Sequence, residues 1–242
     1  MRRASLFLSP GEIPEGMLSG HLVVAIDVLR ASTTICQALV SGARDILPVA
    51  DPEEAKRLAE SLGRENTLLC GEREGRIIPG FDLGNSPLEY TPERVKDKTV
   101  VMCTTNGTAL LAKLRGVETV IAGFVNAGTV IRYLVRSKDD VAILCAGLLG
   151  QFCLEDAVCG GMLVTGFGGR RKVSFSDGAV AGKLLYKRHA RNLLGMLQAT
   201  NHGAYLTSLG FGPDLELASR TDSLPVLPVA REGRITMRAI EN

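Results

Sequence analysis

Short β-branched runs alternate with helical patterns through the first two-thirds of this 242-residue chain, and that alternation constrains the fold most. Leu22-Val23-Val24-Ala25-Ile26 reads as a buried strand, followed by a helix from about 33 to 41. Ile46-Leu47-Pro48-Val49 reads as an edge strand, because proline cannot donate to a ladder. Asp51 then caps a helix with proline at its first position and acids in its first turn. Residues 67–70, 99–103, 119–122 and 141–145 continue the strands, with helices near 106–114, 127–136 and 154–166. This order predicts a three-layer α/β/α fold whose mostly parallel sheet is covered on both faces. After Gly166-Phe167-Gly168-Gly169 the pattern changes. Residues 176–208 read as helical with interruptions, and 215–217 and 235–237 as strands. One α/β unit over 1–242 is expected, with a sub-lobe from about 170 left open.

Composition removes several function classes. Hydrophobic residues at 45% and charged residues at 22% suit a globular protein and argue against disorder. No window holds eighteen uncharged apolar residues, so no membrane-spanning helix is expected. The apolar run after Arg2-Arg3 is too short for a signal-peptide core and reads as a first strand in a cytoplasmic protein. A net charge of +2 gives no general case for nucleic acid. The basic stretch Arg170, Arg171, Lys172, Lys183, Lys187, Arg188 and Arg191 lacks an aromatic platform and reads as a solvated face. The six cysteines form no C-x-x-C pair and read as reduced and mostly buried.

In open α/β sheets, ligands bind beyond the carboxyl ends of the strands. Polar residues collect at those points here. The first is Asp27-Val28-Leu29-Arg30-Ala31-Ser32-Thr33-Thr34, where a carboxylate can hold a metal and the arginine and hydroxyls an oxyanion. Equally, Ser32 can simply cap the helix while Arg30 pairs with Asp27. The second is Cys103-Thr104-Thr105-Asn106-Gly107-Thr108, rich in hydroxyls and backbone N–H groups but not a Walker A loop. The third is the long connection from Gly71 to Pro87, carrying Glu72, Arg73, Arg76, Asp82, Asn85 and Ser86. The fourth is Leu154-Glu155-Asp156, whose acids can serve a metal or the helix dipole.

Cys70 and Arg76 fit the C-x5-R spacing of cysteine-dependent phosphatases, but Glu72 and Glu74 lie inside the presumptive cradle and would oppose both anion and thiolate. His202, in Thr200-Asn201-His202-Gly203, reads first as a capping or core histidine and second as an acid/base.

Taken in order, Ile26-Asp27-Val28-Leu29-Arg30-Ala31-Ser32-Thr33-Thr34, Gly71-Glu72-Arg73, the run from Gly80 to Pro87, Thr104-Thr105-Asn106-Gly107-Thr108, Cys145-Ala146-Gly147 and Leu154-Glu155-Asp156 closely resemble the 2-phosphosulfolactate phosphatase family, also called the ComB family. The resemblance is strong from about Leu22 to Asp156 and looser through His202-Gly203 to Val226-Leu227-Pro228-Val229. It implies a ComB-like α/β/α fold and a Mg²⁺-dependent phosphatase. The implied reaction converts (2R)-2-phospho-3-sulfolactate to (2R)-3-sulfolactate and phosphate, a step of coenzyme M biosynthesis. A same-family phosphatase for another phosphorylated hydroxy acid, or a non-enzymatic anion-binding protein, is the alternative. A homodimer stays open, and neither nucleic acid nor membrane is an expected partner. The haloacid-dehalogenase pattern does not fit, since Leu29 stands where its second Asp belongs.

The chemistry of the residues then suggests roles within that resemblance. Asp27, Glu72 and Asp82 are the expected metal ligands, with Asp156 in reserve. Asp27, Arg30 and Glu72 form the expected catalytic set. Ser32, Thr33, Thr104, Thr105, Asn106, Gly107, Asn85 and Ser86 are expected to bind substrate, chiefly its phosphate. The substrate's sulfonate and carboxylate call for a further arginine, Arg73 or Arg76.

Overall fold

The alternation becomes one sheet in the computed structural model, which describes residues 1–13, 16, 18–168 and 173–239. Among these, the strands are β1 (Arg2–Phe7), β2 (His21–Ile26), β3 (Asp45–Pro48), β4 (Thr67–Arg73), β5 (Arg76–Ile77), β6 (Thr99–Cys103), β7 (Thr119–Ala122), β8 (Asp140–Cys145), β9 (Val173–Phe175), β10 (Pro228–Arg231) and β11 (Arg234–Met237). The helices are α1 (Ala31–Val40), α2 (Pro52–Leu62), α3 (Pro92–Val95), α4 (Gly107–Lys113), α5 (Ala127–Arg136), α6 (Leu154–Gly168), α7 (Asp177–His189), α8 (Leu193–Ala199), α9 (Asn201–Ser208) and α10 (Gly212–Ser219). The sheet order is β5-β4-β6-β3-β11-β10-β7-β2-β8-β1-β9.

Two parallel blocks make up this sheet. One is β4-β6-β3; the other is β7-β2-β8-β1-β9. The β10–β11 hairpin joins them, pairing antiparallel with β7 on one side and with β3 on the other. Its sequence lies more than a hundred residues beyond β7, so local pattern gives no clue to its place.

Residues of period two divide the core into layers. Val24, Ile26, Val120, Ala122, Val141 and Ile143 pack with α5 and α6, while Val23, Ala25, Ile121, Ala142 and Leu144 pack with α1 and α4. This is the three-layer α/β/α arrangement that the alternation predicts. The inner cluster also takes Ile46, Cys70, Val100 and Met102 from the other block, so the sheet wraps α1 and α4. A flat sheet would hold β2 and β4 about 29 Å apart, six strand spacings. Wrapping brings their carboxyl ends to one mouth.

Three local expectations are corrected. β3 is an interior strand rather than an edge. Val49 N–H donates to Met102 O, so by alternation Pro48 turns its missing N–H to the other side, where β11 pairs only at Ile46. Residues 215–217 are helical, within α10, whose Pro213 marks a helix start. The long connection is partly a hairpin. Glu74 and Gly75, at φ 52° and 72°, form a two-residue turn between β4 and β5.

The expected cap of α2 is present, with Asp51 accepting from Glu54 N–H at 2.8 Å. Arg170, Arg171 and Lys172 lie outside the described residues. Among the described residues no helix is long and apolar enough to cross a membrane.

Candidate active site

A cavity of about 280 Å³ opens where these strand ends converge. Asp27, Leu29 and Arg30 reach it from the segment after β2, Glu72 from β4, and Glu74 and Gly75 from the hairpin turn. Thr105 and Asn106 enter from the end of β6, Leu148 and Leu149 from beyond β8, and Asn85 from the long connection. Asn201, His202 and Tyr205 close it from α9, whose spacing puts all three on one side of a helical turn.

Asp27 is almost fully buried, and burial raises its carboxyl from 3.8 to about 6. The His202 ring and the Ala31 N–H pull the other way, while the charges of Glu72 and Glu155 push it up further. Gly107 makes room for this carboxylate, since a Cβ there would stand 2.7 Å from Asp27 Oδ2. Glu72 is fixed by backbone donors, Thr105 N–H at 2.8 Å to Oε1 and Gly75 N–H at 2.9 Å to Oε2. Asn85 Oδ1 and Thr105 Oγ1 are buried without hydrogen-bond partners, although both residues line the cavity.

Arg30 departs from both sequence readings of its partner. It pairs with Asp214 at 2.8 Å instead of Asp27, donates to Gly75 O at 2.9 Å and lies over the Phe211 ring. Arg30 still lines the cavity, and a fork with five N–H groups has donors beyond those two bonds. Ser32 accepts the Asp27 N–H at 2.9 Å, so its hydroxyl shapes the turn. Thr33 gives its hydroxyl to Val28 O, Thr104 and Thr108 bond to each other, and Ser86 donates to Asp214. These four hydroxyls support the walls and do not line the cavity.

The structure does not bring Asp82 to the cavity. Both its oxygens receive Arg64 at 2.8 Å, and Leu69 N–H adds a third bond. Asp156 lies beneath the site, holding Val28 N–H at 2.8 Å and Gly147 N–H at 3.0 Å. Burial, then the charges of Asp27 and Glu155, push its carboxyl well above the usual range. Arg73 turns away to Glu72 O, Ala50 O and Cys103 Sγ. Arg76 is exposed on β5. Cys70 is buried in the inner core with Leu83 and Tyr90, and burial pushes its thiol far up.

The sequence assigns no role to Asn201, Tyr205 or Asp214, offers Glu155 only with Asp156 as a metal or helix-dipole acid, and ranks His202 first as a capping or core residue and second as an acid/base. The signals were thin. Glu155 and Asp156 are adjacent on α6, a helix buried nearly all round, so periodicity could not choose between them.

The family model for 2-phosphosulpholactate phosphatase matches residues 7–233. The chain belongs to that family. A probable 2-phosphosulfolactate phosphatase of Symbiobacterium thermophilum is 42% identical over 93% of this chain and 97% of its own. Another so named, from Caldanaerobacter subterraneus, is 38% identical over 87% of this chain and 88% of its own. A third, from Clostridium beijerinckii, is 35% identical over 97% and 99%. Membership in the family accords with the six motifs, and the match covers every residue that lines the cavity while ending just before β11.

Proposed function

We propose that the cavity cleaves the phosphate ester of a small polyanionic hydroxy acid, (2R)-2-phospho-3-sulfolactate, with Mg²⁺ bound. The observation that carries this reading is the mixture of charges. Asp27, Glu72 and Glu74 share one cavity with Arg30 and with the unpartnered oxygens of Asn85 and Thr105. Acids repel an anionic substrate, so such a cavity suits a phosphate only when a cation is also held. The names of the relatives point to the same substrate.

The donor set fits magnesium. Its oxygens are all hard ligands, and among the described residues the hydrogen bond to the Asp27 carboxylate falls on Oδ1, from the Ala31 N–H at 3.3 Å. Among the described residues no three His, Cys, Asp or Glu side chains converge as a ready cage. Magnesium ordinarily takes one or two carboxylates, waters and the substrate's phosphate instead. Asp27 would hold it, with Glu72 across the cavity. When bound, the ion would neutralise phosphate oxygens and lower the barrier to attack by water.

The chain's own groups divide the remaining work. Arg30, with its spare N–H groups, holds an anionic oxygen, and the Thr105 hydroxyl adds a donor. Neither Arg73 nor Arg76 lines the cavity, so the sulfonate and carboxylate of the substrate are left to Arg30 and to the α9 wall of Asn201, His202 and Tyr205. Leu148 and Leu149 cover one side, limiting water. A place in coenzyme M biosynthesis, implied by the family resemblance, and the cytoplasmic location expected from the N-terminal sequence belong to this same proposal.

Phosphate release from a panel of phosphorylated hydroxy acids and simple alkyl phosphates, with and without Mg²⁺, tests it. The sulfolactate ester should give the highest kcat/KM, lost on chelation and restored by Mg²⁺. Equal rates on a simple alkyl phosphate, or indifference to chelator, would overturn it.

A further inference from the structure

His202 lines the cavity from the first turn of α9, and its Nδ1 lies 3.6 Å from Glu155 Oε1. Glu155 is 1% exposed, and its second oxygen is buried with no hydrogen-bond partner. A carboxylate kept for stability alone would be costly there, because a buried charge needs donors on its remaining lone pairs. The imidazole is also firmly placed. Thr200 caps the helix through Gly203 N–H at 2.9 Å, and a Cβ at Gly203 would collide with the Leu197 carbonyl. Two other charged groups of the cavity are engaged elsewhere: Arg30 with Asp214, and Glu72 with two backbone N–H groups.

We propose that His202 is the general acid for ester cleavage and Glu155 its positioning residue; this rests on the phosphatase reading above. Phosphoryl transfer through a loose transition state builds negative charge on the departing oxygen. The alkoxide of a hydroxy acid is a strong base, so it gains much from a proton delivered as it leaves. In this step a bond forms from water oxygen to phosphorus while the bond from phosphorus to the ester oxygen breaks. The ester oxygen keeps the electron pair and takes the proton from His202 Nε2, leaving as the alcohol. The water oxygen retains one proton in the hydrogen phosphate product. Its second proton passes to solvent, and solvent returns one to His202. Glu155 Oε1 keeps a proton on Nδ1, which turns Nε2 to the substrate.

The test compares His202→Ala, His202→Asn and Glu155→Gln with the parent enzyme over a Mg²⁺ titration, with kcat and KM taken at saturation. Each is assayed on 2-phospho-3-sulfolactate and on 4-nitrophenyl phosphate, whose phenolate leaves without a proton. His202→Asn should lose about 10²–10⁴ in kcat on the alkyl ester, with KM nearly constant. It should lose less than about tenfold on the aryl ester. Glu155→Gln should show a smaller loss with the same preference, and added imidazole should restore part of the His202→Ala rate on the alkyl ester. Equal losses on both esters with no imidazole rescue, or no loss on either, would overturn the proposal while leaving the phosphatase reading intact. So would a large rise, in Glu155→Gln alone, in the Mg²⁺ needed for half activity, since Glu155 would then be a ligand. A parent enzyme that releases phosphate from neither ester would overturn the phosphatase reading, and this proposal with it.

Discussion

Arg30 and Asp214 meet in a buried ion pair at 2.8 Å across 184 positions of sequence. Ser86 donates to the second Asp214 oxygen at 2.6 Å, so the carboxylate joins the long connection, α10 and the segment after β2. The pair therefore fixes the cavity's cation and secures the helical group that carries His202.

Breaking such a pair from one side strands a charge in the interior, which costs about 3–5 kcal/mol. Arg30→Ala and Asp214→Ala should each lose stability of that order in urea unfolding. The double variant should lose less than the sum of the singles. Additive losses would mean that the two side chains act separately.

Asp27 should make stability depend on pH. Its folded value, about 6, lies above its ordinary 3.8, so folding favours the protonated acid. The benefit is full below about pH 4 and is lost as pH rises through about 6, a change of about 3 kcal/mol. Asp27→Asn keeps the group neutral. Without Mg²⁺ it should be more stable than the parent at pH 7 by up to that amount, and equal near pH 4, while losing phosphatase activity. Chemical denaturation at several pH values measures this; parallel profiles for parent and variant would show that Asp27 ionises freely.

Thiol chemistry should be irrelevant to turnover. Cys70 is buried, and burial raises its thiol far above the ordinary value, so it is neither accessible nor ionised. N-ethylmaleimide on the native protein should leave phosphate release intact, whereas a chelator should abolish it. Arg76→Ala, on the exposed β5, should change kcat/KM by less than about threefold, as surface substitutions usually shift free energies by about 0.5 kcal/mol or less. Inactivation by the alkylating agent in a still-folded protein would restore Cys70 as a candidate.

What the sequence made legible was local. Val23-Val24-Ala25-Ile26 is apolar on both faces and could be little but a covered strand, and Asp27 falls at its tip by chain order alone. Leu215-Glu216-Leu217 misled because three alternating residues fit a strand as well as one side of a helix. Partners remote in sequence were illegible. Nothing near Arg30 announces Asp214, and nothing near Asp82 announces that Arg64 will cover both its oxygens. The hydroxyls of Ser32 and Thr33 read as phosphate donors by type, yet their short side chains satisfy the turn that places Asp27.

Gly107 provides the sharpest test of how closely the site is packed. It opens α4 beside the start of α1, and a Cβ there would lie 2.5 Å from Ala31 Cβ and 2.7 Å from Asp27 Oδ2. Neither neighbour can yield easily. Ala31 is itself a helix residue with no flexible end, and Asp27 is held through Ser32 and the Ala31 N–H. Gly107→Ala must therefore push α4 outward or turn the Asp27 carboxylate. Overpacking of this kind costs about 1–3 kcal/mol. A displacement of about 1 Å at a reacting group can cost about 10²-fold in rate. The variant should thus melt lower than the parent yet remain folded at 25 °C, with kcat/KM down by at least about tenfold. Gly11→Ala is the control, because a Cβ at Gly11 meets nothing within 4 Å. Thermal melting and phosphate release on both variants separate the outcomes. Parent-like rates in Gly107→Ala would place the reacting carboxylate elsewhere than Asp27.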